Sequence, residues 1–249
     1  MTVQLLPDCH LVASGYLGFG FSDPWDGHAY LLRSGDEALL IDTGSGRDSA
    51  ALVRRIDAVL GSEARLTGVA LTHAHVDHSG GAADLAAHYG VPVHASAVAA
   101  DWLERGDEEA IGLPAARRQG VYPADQVLRA LTRRQLVEAE PAIRVGDLTV
   151  QAIASVGHSA DHTVYAAQLP TGLALFTGDL IFAQGRVAVL DTPDTDARAL
   201  ETSIRAVAAL RPQHLFPGHG AVALRRGWAH LDAAVAEFDR GALPAGLVA

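Results

Sequence analysis

The stretch Thr72-His73-Ala74-His75-Val76-Asp77-His78-Ser79-Gly80-Gly81 decides how this chain is read. It follows an apolar run at residues 66–72 with the character of a strand, and it precedes a helical pattern at residues 81–89 that stops at Gly90. The motif therefore belongs on a loop at a strand's end. Three imidazoles and a carboxylate crowded into so short a segment are costly without a cation. Imidazole nitrogen and carboxylate oxygen are good ligands for zinc and also suit iron or manganese. The alternate spacing of His73 and His75 lets two rings point the same way from extended backbone. Asp77 and His78, at the turn into the helix, can point elsewhere, which suits two metals better than one.

Three more sites share this placement. His158 lies in Val156-Gly157-His158-Ser159, Asp179 in Thr177-Gly178-Asp179-Leu180 and His219 in Pro217-Gly218-His219-Gly220. Each follows an apolar strand pattern (148–154, 173–177 and 214–216) and adjoins a glycine. Strand ends of this kind are where layered α/β folds assemble their sites.

Working outward, short apolar runs at residues 27–33 and 37–42 flank Ser34-Gly35-Asp36, a hairpin-type turn. Leu52, Val53, Ile56, Val59 and Leu60 then recur at helical spacing until Gly61. Further patterns predict a strand at 91–94, a helix from Ala95 towards Glu104, strands at 143–145 and 163–168, a helix at 196–210 and a last helix at about 224–239. Strands come in two clusters, each followed by helices, which predicts an α/β layered fold. Between Arg105 and Pro141 the rhythm breaks into an Arg-, Glu- and Ala-rich stretch that offers helices and no clear strand. We expect a single domain over residues 1–249 with a helical insertion at about 105–141, acting either as a cap over the site or as the face of a homodimer.

Composition narrows the chemistry. The chain has 249 residues, of which 49% are hydrophobic and 19% charged, enough apolar content for a sizeable core and too much for intrinsic disorder. Its net charge of -10 argues against nucleic acid as a partner. All 19 basic residues are Arg, so Schiff-base chemistry, a P-loop lysine and a lysine base are excluded. Cys9 is the only cysteine, read as a packed thiol, and it leaves no internal disulfide and no Cys-built metal site. Residues 1–10 lack the pattern of a secretory signal, and no apolar run reaches the ~20 residues a bilayer-spanning helix needs. A cytoplasmic enzyme with a small-molecule substrate and no membrane partner is the expectation.

The set HAHVDH, GH, TGD and PGHG resembles the metallo-β-lactamase superfamily from Asp42-Thr43-Gly44 to Gly220. The resemblance implies an αββα four-layer sandwich, two β-sheets flanked by helices. It implies that His73, His75 and His158 bind one divalent metal, that Asp77, His78 and His219 bind a second, and that Asp179 bridges them. Zinc is the first expectation, with iron or manganese as alternatives. Asp42 matches an aspartate that orients a ligand histidine from behind, and His162, four residues after His158, is a candidate to bind substrate or to support the first metal's surroundings. Asp77 would also orient the attacking hydroxide and pass a proton to the leaving group.

The β-lactamases of the superfamily lack the aspartate that Asp179 matches, and its nucleases carry added domains or basic surfaces. The full ligand set is similar to glyoxalase II-type thioesterases and to lactonases. The first of these carry a Gly-Cys-Gly-Arg signature and glutathione-binding lysines; this chain has Ala183-Gln184-Gly185-Arg186 and no lysine. Lactonases place a tyrosine beside the metals, for which Tyr16, Tyr122 and Tyr165 are candidates. The resemblance therefore implies hydrolysis of a small carboxylic thioester, ester or lactone. The alternative is a mononuclear iron persulfide dioxygenase using His73, His158 and Asp179. His28 and His94, on strand ends, are read as packing residues, and the aromatic segment at 19–25 as a loop over the site.

Overall fold

Strands buried on both faces organise this protein. In the strand Glu37–Ile41, Ala38 and Leu40 point to one apolar layer while Leu39 and Ile41 point to another, the period of two that a pleated strand imposes. In β10, Tyr165 and Ala167 face that second layer and Val164 and Ala166 a third. Three apolar layers require four layers of secondary structure.

The computed structural model describes residues 1–138, 141–190, 192 and 194–247. In chain order the first half holds β1 (Val3–Leu6), β2 (Cys9–Ala13), β3 (Ala29–Ser34), β4 (Glu37–Ile41), α1 (Ser49–Leu60), β5 (Arg65–Ala70), α2 (Val76–Ser79), α3 (Ala82–Tyr89), β6 (Val93–Ala95), α4 (Ala97–Arg105), α5 (Leu113–Arg118) and β7 (Leu136–Glu138). The second half holds β8 (Ala142–Val145), β9 (Leu148–Ala154), β10 (Thr163–Leu169), β11 (Gly172–Gly178), α6 (Ala197–Ala208), β12 (His214–Pro217) and α7 (Trp228–Asp239), with a 3-10 turn at Ala183–Gly185 before α6. Strands β1 to β7 pair in sequence order as one sheet, and β12-β11-β10-β9-β8 form the other.

Helices α1, α3 and α4 bury Leu52, Ile56, Leu85 and Leu103 against the outer face of the first sheet. Helices α6 and α7 bury Leu200, Ile204, Leu231 and Phe238 against the outer face of the second. Between the sheets, Tyr30, Phe176 and Phe216 form an aromatic trio with ring centroids 5.1–5.5 Å apart. This is the αββα sandwich expected.

Helix starts follow local chemistry. Asp48, Ser96 and Asp196 each accept an N–H of the first turn of α1, α4 and α6, satisfying donors that a helix end leaves orphaned.

The stretch 105–141 differs from the helical reading. It holds the short α5 and, at Leu136–Glu138, a strand that pairs parallel to β6. Three residues inside an Arg- and Glu-rich stretch are too few to show a periodicity. The last helix begins at Trp228 rather than near 224, because Ala223 pairs with Leu215 beside β12. Among the described residues, no helix is long and apolar enough to cross a membrane.

Candidate metal centre

The site is built where β4, β5, β9, β11 and β12 end. The N–H of Asp42, just past β4, donates to Ala70 O at the end of β5. Asp42 adopts a left-handed backbone (φ +61°) and is buried. Its Oδ1 accepts the N–H of Thr72 at 2.8 Å, and its Oδ2 accepts the Thr72 hydroxyl at 2.8 Å and faces Nδ1 of His78 at 3.0 Å.

The hydroxyl of Thr72 has one proton, given to Asp42, so Nδ1–H of His73 donates to Thr72 Oγ1 across their 3.0 Å contact. His73 Nε2 is then a buried lone pair with no hydrogen-bond partner. One carboxylate thus sets the tautomer of His78 directly and of His73 through Thr72.

The other rings are held from other loops. His158 donates Nδ1–H to Ala188 O at 2.9 Å, and its Nε2 lies 3.0 Å from Nδ1 of His75. His75 Nε2 faces Asp194 Oδ2 at 3.4 Å. His219 Nε2 lies 3.1 Å from Asp77 Oδ2 and 3.4 Å from Asp179 Oδ2. His78 Nε2 is 3.3 Å from Asp179 Oδ1, 3.4 Å from Asp77 Oδ2 and 3.3 Å from His219 Nε2. A Cβ on Gly218 would stand 2.3 Å from Asp179 Oδ1 and 2.5 Å from His78 Cε1, so this approach of backbone to side chains requires glycine.

Ligand atoms fall within 4.8 Å of one another in three sets: His73, His75 and His158; Asp77, His78 and His219; and His73, His78 and Asp179. The third set joins the other two.

Electrostatics separate the rings into two kinds. Burial, reinforced by neighbouring imidazoles, holds His73 well below its usual range, and burial brings His158 down to about 4. Burial also opposes charge on His78 and His219, but Asp77 and Asp179 outweigh it. They hold His78 well above its usual value and raise His219 to about 9. Burial works to raise Asp77 and Asp179, yet the two imidazoles keep both well below the carboxylate range. His75 is raised against burial by Asp194. Protons on His78 and His219 thus offset the charge of two buried carboxylates.

Further side chains are brought to this edge. His162 accepts the N–H of Asp179 at Nε2 (3.2 Å) and meets Ser155 Oγ at Nδ1 (3.0 Å), so it supports Asp179 from behind. Asp161 accepts the N–H of Ala74 at 2.7 Å and the Ser159 hydroxyl at 2.5 Å, tying the two His-bearing loops together. Its position in His158-Ser159-Ala160-Asp161-His162 was the available signal; Asp194 carried none.

Of the three tyrosines, Tyr122 reaches the site. It is hydrogen-bonded to Asp77, and its phenol is held well above the usual value by burial and by Asp77. Tyr165 is a core residue that donates to Leu71 O at 3.0 Å, and Tyr16 is exposed. His28 is buried behind His219, 6.4 Å between ring centroids, and Phe19 stacks on it at 5.6 Å. His94 sits in β6, its carbonyl accepting the N–H of Leu71.

A fold of this kind with this site defines a class. The family model of the metallo-beta-lactamase superfamily matches residues 22–219, and the chain belongs to that superfamily. It is 32% identical over 197 residues to an atrochrysone carboxyl ACP thioesterase of Aspergillus fumigatus, covering 78% of this chain and 51% of that protein. It is 30% identical over 190 residues to a hydroxyacylglutathione hydrolase of Acidiphilium cryptum, covering 76% and 62%. The chain spans about half the length of the first curated relatives it matches. Among solved structures, BLEG-1 B3 metallo-beta-lactamase superposes with a TM-score of 0.68 at 25% identity, covering 84% of this chain and 93% of that one. A superfamily protein from Sulfolobus tokodaii superposes with a TM-score of 0.69 at 20% identity, covering 93% and 86%, a likeness of fold.

Proposed function

We propose that this protein is a dinuclear metal-dependent hydrolase of a small carboxylic thioester, ester or lactone with an apolar acyl group. The observation that carries the reading is the facing of ring nitrogens inside the cluster. His75 Nδ1 and His158 Nε2 stand 3.0 Å apart, and His78 Nε2 and His219 Nε2 3.3 Å apart, while the outward nitrogens of His78 and His158 are hydrogen-bonded and that of His75 faces Asp194 at 3.4 Å. Imidazoles so arranged turn either lone pairs or, where Asp77 and Asp179 hold protons on His78 and His219, N–H groups on one another. A cation in each half relieves this and satisfies the orphaned Nε2 of His73.

In this reading His73, His75 and His158 hold one ion, Asp77, His78 and His219 the other, and Asp179 reaches both; zinc suits the nitrogen-rich donors, with iron or manganese as alternatives. Such a pair, when bound, activates water near neutral pH and polarises a carbonyl.

The protein's own groups supply the rest. Asp77 orients the attacking water and moves its proton to the leaving sulfur or oxygen. Tyr122, kept protonated beside Asp77, offers an O–H to the same region. Trp25 Nε1 donates to Val121 O at 3.0 Å, next to Tyr122, which supports reading this part of the insertion as a cap. Exposed Leu17, whose carbonyl accepts the N–H of Gly220, and exposed Phe19, stacked on His28, put apolar surface beside the site, which favours an apolar acyl group. The thioesterase and hydroxyacylglutathione hydrolase relatives support hydrolysis over the iron dioxygenase alternative.

The test is turnover of acyl thioesters and lactones, with a β-lactam and a phosphodiester as controls. We expect thioester or lactone turnover that a chelator abolishes and zinc restores. Turnover confined to the controls would overturn the reading.

A further inference from the structure

In four of the clustered imidazoles the ring nitrogen that points away from the cluster faces a partner, three at hydrogen-bond distance and that of His75 at 3.4 Å. For His73 it is the Thr72 hydroxyl, for His158 the Ala188 carbonyl, for His78 the Asp42 carboxylate and for His75 the Asp194 carboxylate. Each half of the centre thus has one charged partner. Asp42 belongs to a motif visible in the sequence; Asp194 belongs to none.

The segment that carries Asp194 is anchored to the loop of His158. Ala188 O receives the ring N–H of His158, the Thr195 hydroxyl donates to His158 O at 2.9 Å, and the Asp196 N–H donates to Gly157 O at 2.8 Å. Asp196 also caps α6. Held between these anchors, the Asp194 side chain is only 7% exposed and turns to a ring from a different loop, His75, at 3.4 Å. Both Asp194 oxygens and His75 Nε2 are buried with no other hydrogen-bond partner, and a carboxylate this enclosed is costly unless an N–H meets it.

We propose that Asp194 is the positioning residue for His75: it takes the Nε2 proton, fixing the tautomer that leaves Nδ1 as the donor to the first metal position. The inference rests on the ligand assignment proposed above. His75 is the one ring of its set turned this way, with Nδ1 rather than Nε2 pointing inward, against Nε2 of His158. A neutral imidazole carries one N–H. Without Asp194 the proton is free to sit on Nδ1 and block that position. With it, the ring is oriented and made a stronger donor.

The test uses metal-free wild type, Asp194→Ala and Asp194→Asn titrated with cobalt(II), read by visible absorption and by chelator competition. We expect Asp194→Ala to lose about 10–100-fold in affinity at one of two cobalt equivalents, with altered bands for that equivalent and the other unchanged. Asp194→Asn, whose amide oxygen still accepts Nε2–H, recovers most of the loss. The metal-free variants melt as the wild type does. Two equivalents bound by Asp194→Ala with wild-type affinity and spectrum overturn the inference alone. So does equal loss of both equivalents with a collapsed melting temperature, which marks a structural role. A wild type that binds no cobalt overturns the inference and the proposed function together.

Discussion

The backbone N–H of Asp179 donates to Nε2 of His162 at 3.2 Å. The carboxylate that reaches both halves of the cluster is therefore held by an imidazole that joins neither half. With Nε2 accepting, Nδ1–H of His162 donates to Ser155 Oγ at 3.0 Å, and both residues are buried. Burial keeps His162 well below its usual range, so it stays neutral and able to accept.

Replacing His162 by Ala strands the Asp179 amide. A buried donor left unmade costs about 1–3 kcal/mol, and each kcal/mol lowers the melting temperature by about 2–4 °C for a chain of this size. We expect His162→Ala to show that drop together with reduced turnover, and His162→Gln, which keeps an acceptor, to recover part of both. Thermal denaturation and steady-state kinetics check it. An unchanged melting temperature would remove His162 from the supporting role.

Asp42 is expected to govern metal affinity at the second position. Its Oδ2 orients His78, and its left-handed backbone tolerates Asn far better than Ala. Asp42→Ala should weaken one metal equivalent by about 10–100-fold and destabilise the protein further through backbone strain. Asp42→Asn should spare the backbone while still weakening the metal. Chelator competition beside thermal melts separates the two effects.

The metal-free protein should be most stable near neutrality. His28 and His158 are brought down by burial to about 3 and about 4, whereas the unfolded chain takes up those protons near 6.5. Their contribution is full above about 6.5 and is lost as pH falls towards 4 and 3. His219 runs the other way: raised to about 9 by Asp179 and Asp77 against burial, it contributes fully below about 6.5 and loses this as pH rises through 9. Melting temperature against pH should therefore peak near 6.5 in the stripped protein. Zinc, by replacing the proton on His219, should remove the alkaline fall. An unchanged alkaline limb with zinc bound would contradict the assignment of His219.

Cys9 should behave as a buried apolar group. It is fully enclosed between the sheets, and burial raises its thiol well above the usual range. We expect no reaction with a thiol reagent in the native protein, full reaction in denaturant, and unimpaired turnover in Cys9→Ala. Native-state labelling that stops turnover would give Cys9 a place this structure does not.

How far the sequence foretold these features depends on how local the signal is. The helices α1 and α3 were legible because their glycine stops, Gly61 and Gly90, sit at the end of each segment. The segment 72–81 was legible because its chemistry is contiguous. Asp194 and Asp161 were not, since each is a single acid in a loop and its partner comes from a distant segment. Tyr122 and Tyr165 were indistinguishable as candidates. Strand alternation turns Tyr165 into the layer between the sheets, while an irregular segment delivers Tyr122 to Asp77.

The most direct measurement is an anomalous-difference map of crystals soaked in zinc. The account predicts two peaks about 3.5–4 Å apart, one bounded by His73, His75 and His158, the other by Asp77, His78 and His219, with Asp179 touching both. A single peak, or zinc bound elsewhere with these side chains unmoved, would contradict it.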